Sequence, residues 1–199
     1  MSRTQRLIIV LLLNLGLVVG LLAVGITAHS LAVLAEGSDY LVDAAGVAVA
    51  LLAIRLSVTH LAALINCGWL LVLEVLVIGA AADRLATRTP DVHGLPVLIA
   101  SGIAALIMTA GALVLRGDVD GDDDKAGERD LSVAAMLLDT VADAAAAAGV
   151  AAASAIILAT GGWYWLDPAT ALIIAIVIAF HALTLLRKIS GRRPRAPVS

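Results

Sequence analysis

Two pairs of aspartates set the chemical problem that the rest of the chain has to solve. Asp39 and Asp43 stand four residues apart, and so do Asp139 and Asp143. On a helix that spacing puts both carboxylates of a pair on one face. Each pair lies in a long apolar stretch, where an ionised Asp costs about 2.5–3.5 kcal/mol at mid-bilayer. Four of them would cost roughly 10–14 kcal/mol, comparable to the whole stability of a domain. Like charges at this spacing add repulsion. No Lys or Arg lies mid-span to neutralise them, since Arg55 stands at a helix end. Compensation has to come from protons, water or a bound cation. A site that alternates between metal and protons accounts for the cost. If the two helices pack together, four carboxylates converge and offer oxygen ligands to a divalent ion. The plainer reading makes each pair an interhelical hydrogen-bonding patch or the lining of a watery crevice.

The stretches that hold these residues read as membrane spans. Of 199 residues, 61% are hydrophobic and 15% charged, against about 45–50% and about 25% in a soluble domain. That balance excludes a disordered chain, an ordinary cytosolic enzyme and a nucleic-acid binder. A net charge of −3 offers no broad basic surface for phosphates. Cys67 is the only cysteine, which excludes a disulfide framework and a multi-cysteine metal cage. Six stretches approach or exceed the roughly 20 apolar residues that a spanning helix needs: 7–28, 31–56, 61–82, 95–115, 131–160 and 168–186. The expected fold is an all-α membrane protein, a six-helix bundle with both termini in the cytoplasm. A membrane β-barrel would need short segments of alternating polarity instead. The first stretch is longer than a signal-peptide core. Orientation follows from the basic residues: with the termini inside, all but Arg84 and Arg88 of the 13 Lys and Arg face the cytoplasm. Trp163, Tyr164 and Trp165 suit an interfacial belt on the outer side.

The domain layout is therefore a transmembrane unit over 1–189, with an acidic cytoplasmic loop at 117–130, and a short basic tail at 190–199. The loop is a solvated connection or a weak cation antenna. Residues 142–153 are almost all Ala or Gly, which lets the fifth helix approach its neighbours closely.

Further residues invite a role. Glu36 sits one turn before Asp39 and reads as a solvated carboxylate at a helix end, or else as a proton relay near the outer mouth. Glu74 falls mid-span; it pairs across a dimer interface, bonds Asn14 or Asn66, or stays protonated. Asn14 and Asn66 are hydrogen-bonding glue between helices, with a role in gating or in supporting the ligands as the sharper alternative for both. His29, His60, His93 and His181 lie near span ends, and His60, at the cytoplasmic entry, is the best accessory ligand among them. Asp167-Pro168 reads as an N-cap followed by Pro at the first helical position. No nucleophile–base constellation, phosphate loop or redox motif is present, so an enzyme is not expected.

These motifs together resemble the cation diffusion facilitator family of metal transporters, over nearly the whole chain. Ser30-Leu-Ala-Val-Leu-Ala-Glu36-Gly-Ser-Asp39-Tyr-Leu-Val-Asp43 is similar to the family's second-helix motif. Leu138-Asp139-Thr-Val-Ala-Asp143, with Gly149 and Val150 after it, is similar to the fifth-helix motif. Ala63-Leu-Ile-Asn66, His93-Gly-Leu-Pro96 and Gly162-Trp-Tyr-Trp-Leu-Asp-Pro168 add matches at the third, fourth and sixth helices. The resemblance implies a compact exporter of divalent metal in exchange for protons. It would sit in a bacterial plasma membrane, work by alternating access, and form a homodimer. It implies a metal site of Asp39, Asp43, Asp139 and Asp143, with no cofactor beyond the transported ion, such as Zn²⁺ or Mn²⁺, and its counter-ion protons.

The chain departs from the family pattern in four ways. Zinc-selective members usually carry His at position 39, at 139 or at both, whereas here both are Asp. Oxygen-only ligands suit harder ions such as Mn²⁺, although zinc also accepts carboxylate oxygen. The family's cytoplasmic ferredoxin-like domain is not expected here. The loop at 57–60 is short. The usual His-rich loop after the fourth helix is replaced by an Asp-rich one. The expectation that the ferredoxin-like domain is lacking motivates an alternative: a non-transporting metal-binding subunit that pairs with a full-length relative and regulates it.

Overall fold

In the computed structural model, the backbone is described for residues 3–56, 59–87, 89–119 and 128–191, and side chains within 15–187 apart from 42–43, 46–67, 88, 114–115, 117–136 and 185. Those residues form six helices and no strand: α1 (Arg3–Thr27), α2 (Leu31–Leu56), α3 (Thr59–Ala86), α4 (Gly94–Val119), α5 (Glu128–Thr160) and α6 (Leu166–Gly191). The shortest has 25 residues, about 37 Å at about 1.5 Å per residue, longer than the ~30 Å hydrocarbon core. Among the described residues, three stretches are both long and apolar enough to cross a membrane: Gly94–Leu113, Leu137–Thr160 and Leu166–Thr184. Most of each stretch faces outward, with Leu106, Ile173, Val177 and Phe180 all exposed.

Several helices begin or end in polar sequence beyond the expected spans. α3 continues to Ala86 and so contains Asp83 and Arg84, while α4 and α5 run into the expected acidic loop. Charged residues propagate a helix well once it is nucleated, so the end of an apolar run is not the end of the helix. Residues 120–127 and the tail over 192–199 lie outside the described residues.

α2 is the central element, touching α1, α3, α5 and α6. The most extensive pairings are α4 with α5, α3 with α6, and α1 with α2. The core is built from small and branched side chains, with Val33, Ala35, Ala81, Val97, Ala104, Ala147, Val150 and Ala171 all sealed. Small residues let membrane helices approach until their backbones nearly touch. At Gly94, a Cβ would stand 3.1 Å from the Ser154 carbonyl oxygen and 2.9 Å from Leu158 Cγ on α5. The Leu side chain can swing away, but the carbonyl belongs to the helix. Gly94→Ala is therefore expected to cost about 1–3 kcal/mol through overpacking. Thermal unfolding in detergent measures this, and a loss below about 0.5 kcal/mol would show that the contact relaxes.

The turns follow helix-capping chemistry. α1 closes with the Ser30 N–H bonded to the Gly25 carbonyl and the His29 N–H to the Ile26 carbonyl, leaving His29 in the left-handed region at φ 58°. This is the paired bonding of a Schellman cap, whose turning position usually belongs to glycine. α5 ends more conventionally, on Gly161 at φ 60° with its N–H bonded to the Ile157 carbonyl.

Candidate functional site

The helices that carry the two aspartate pairs are in contact: α2 touches α5 over a short stretch. Asp39 and Asp143 are half-buried and Asp139 is exposed. Asp39 and Asp143 both engage partners. The side chains of Asp43, His60 and Asn66 lie outside the described residues. Among the described residues, no three His, Cys, Asp or Glu side chains converge in a metal-sized group.

Glu36 is not solvated, contrary to the plainer expectation for it. It is 2% exposed, and its Oε2 accepts a 2.9 Å hydrogen bond from the Ser101 hydroxyl of α4, while Oε1 has no partner among the described residues. The reason is positional. The beginning of α2, where Glu36 sits, is roofed by neighbouring helices rather than by solvent. Glu36, Asp39 and Asp43 follow one another at three- and four-residue steps, so they form one stripe along α2.

Glu74 is sealed completely inside the single chain, so the reading that paired it across a dimer interface is corrected. Its polar neighbour is Ser38 of α2, at a geometry that leaves both carboxyl oxygens without a good hydrogen bond among the described residues; the Asn14 and Asn66 side chains lie outside them. The Ser38 hydroxyl donates instead to the Ala35 carbonyl at 2.8 Å. Replacing an unsatisfied buried polar group with an apolar one of similar shape is neutral to stabilising. Glu74→Met is accordingly expected to raise stability by about 1–3 kcal/mol, read as the shift of the unfolding midpoint. A loss of stability would mean that Glu74 has a strong partner.

A polar network holds together the end of the bundle where α2 and α6 begin. Asp167 is 2% exposed and accepts hydrogen bonds from the Ser30 hydroxyl, from the Leu31 N–H at 2.7 Å and from the Ala32 N–H at 3.3 Å. Ser30 in turn accepts from the Val33 N–H at 3.2 Å. Asp167 therefore caps α2, and the expectation that it caps its own helix is corrected. Its helix starts one residue earlier, at Leu166, which places Pro168 inside the first turn, where its missing N–H is harmless. Arg84 of α3 lies 3.9 Å from the Asp167 carboxylate and donates to the His29 carbonyl at 2.7 Å. A carboxylate at a helix N-terminus satisfies orphan N–H groups and complements the helix dipole. A D-P dipeptide signals a helix start, but nothing local in it reveals which helix its carboxylate will cap.

The described residues form a helical bundle with stretches long and apolar enough to cross a membrane, and comparison with known proteins defines its class. A family model described as the cation efflux transmembrane domain matches residues 7–190. With nearly the whole chain matched, the protein belongs to the cation efflux family. The zinc transporter ZitB of Escherichia coli (strain K12) is 29% identical over 191 residues, covering 88% of this chain and 58% of that one. The zinc transporter ZitB of Yersinia pseudotuberculosis serotype I (strain IP32953) is 27% identical over 203 residues, covering 94% and 62%. The chain spans about three-fifths of the length of these curated relatives.

Proposed function

We propose that this chain carries divalent transition-metal ions out of the cytoplasm across a bacterial plasma membrane in exchange for protons. Asp39, Asp43, Asp139 and Asp143 bind the ion. The observation that carries this reading is the contact between α2 and α5, the two helices that hold the two aspartate pairs. Family membership supports cation efflux, and relatives named zinc transporters support an ion of the zinc class. The all-oxygen ligand set also admits Mn²⁺, Co²⁺ and Cd²⁺. All six helices span, with both termini inside. The uneven distribution of Lys and Arg supports this orientation.

Metal enters from the cytoplasmic side and displaces protons from the carboxylates. The bundle then opens outward, where protons reload the carboxylates and release the ion. Metal and protons compete for the same oxygens, so acid on the release side speeds export. The test is metal flux in proteoliposomes under an imposed pH gradient, with Zn²⁺, Mn²⁺, Co²⁺ and Cd²⁺ offered separately. Flux that rises with the gradient is the expected result. Flux indifferent to the gradient would end the proton coupling. Folded protein that moves none of the four ions would end the transport reading in favour of a regulatory subunit.

A further inference from the structure

The turn after α1 and the segment before α4 bring together two histidines that are 64 positions apart in the sequence. The rings of His29 and His93 stand 6.2 Å apart between centroids, inclined at 40°. Both residues are exposed, and among the described residues no hydrogen bond occupies either ring. The backbone holds them in place. The His93 N–H donates to the Ala28 carbonyl at 3.1 Å, and Arg84 donates to the His29 carbonyl at 2.7 Å. His29 also occupies the left-handed position of its cap, where glycine is usual.

We propose that His29 and His93 form a two-imidazole surface site for a borderline transition-metal ion, separate from the aspartates of α2 and α5. The distances carry the idea. A Zn–N bond of about 2.1 Å plus a ring radius of about 1.1 Å puts each centroid about 3.2 Å from a shared ion. Two such rings are about 5.2 Å apart at the tetrahedral angle and about 6.4 Å apart with the ion directly between them. The observed 6.2 Å falls inside that interval toward its linear end, so the rings close by about 1 Å to reach tetrahedral coordination. Water completes the coordination, because both rings face outward. Neutral imidazole prefers Zn²⁺, Co²⁺, Ni²⁺ and Cu²⁺ to Mn²⁺ or Mg²⁺. The site therefore selects differently from an all-carboxylate one.

The test uses the full chain in lipid nanodiscs, with Asp39, Asp43, Asp139 and Asp143 all changed to Asn to silence the other proposed site. Calorimetric titration with Zn²⁺ is expected to show one remaining site, with no Mn²⁺ binding. His93→Asn or His29→Asn should weaken the zinc by on the order of ten-fold or more. Asn suits position 29 because it tolerates the left-handed backbone. Zinc binding unchanged by either substitution, or no zinc binding in the folded background, would overturn the proposal. A second measurement uses the unmodified chain. Zinc should protect His29 and His93 from diethyl pyrocarbonate while His181 stays reactive, and equal labelling of all three would also overturn it.

Discussion

Changing Asp43 and Asp143 together to Asn is expected to abolish metal flux while leaving the bundle at least as stable as before. Asn matches Asp in size and keeps a carbonyl oxygen, but it carries no charge to hold a divalent cation and no proton to exchange. Even indirect partners of metal ligands are worth about 10–100-fold, so losing one ligand from each helix should reduce flux by on the order of 100-fold or more. Stability should move in the opposite direction. An ionised Asp at mid-bilayer costs about 2.5–3.5 kcal/mol, and the two substitutions remove two such groups and their repulsion within each pair. Flux in proteoliposomes and unfolding of the same preparation measure the two effects. Lost flux with retained or raised stability is the signature of a site kept for function at the expense of the fold. Lost flux with a collapsed fold would make the aspartates structural. Flux within a factor of two of the parent would remove them from the transport path.

Asp167→Ala is expected to produce the largest loss of stability of any single substitution at the end of the bundle where α2 begins. The carboxylate is 2% exposed and receives the Ser30 hydroxyl and the Leu31 and Ala32 N–H groups, with Arg84 at 3.9 Å. Removing it strands these donors in a sealed place and leaves a guanidinium without its counter-charge. Losing one partner of a buried pair costs about 3–5 kcal/mol. Asp167→Asn keeps one acceptor oxygen but no charge, and should lose about half as much. Ser30→Ala keeps both backbone bonds and should cost about 1 kcal/mol. That ranking, read from unfolding midpoints in detergent, tests the network as well as the residue. No loss for Asp167→Asn beside a large loss for Asp167→Ala would mean that Asp167 acts only by filling space. The consequence reaches function, because this cap anchors the helix that carries Asp39 and Asp43. A frayed α2 should lower metal flux even with every aspartate in place.

The all-helical class, the approximate position of each helix and the four aspartates follow from local properties of the sequence. Length and hydropathy identify an apolar helix, and a carboxylate inside it is conspicuous because its cost there is large. What the sequence did not reveal was which side of each helix faces a neighbour. These helices are apolar nearly all round, so no amphipathic stripe marks the buried face. Glu36 therefore read as solvated, although it is buried in the bundle and bonded by Ser101 of α4. Glu74 likewise read as available to a second chain, although it is sealed beside Ser38. Helix ends were blurred for a related reason, since polar flanking residues continue a helix as readily as they end it, as Asp83 and Arg84 do in α3.

The sequence by itself determined that the chain is helical and apolar and that its helices carry two aspartate pairs, because periodicity, hydropathy and residue type are properties of neighbouring residues. Only the tertiary structure decided that Asp167 caps α2 from 136 residues away, that Ser101 reaches Glu36 and that His29 meets His93. Each of those contacts depends on which helices lie side by side, and close packing of small residues can join several alternative pairs of such faces equally well.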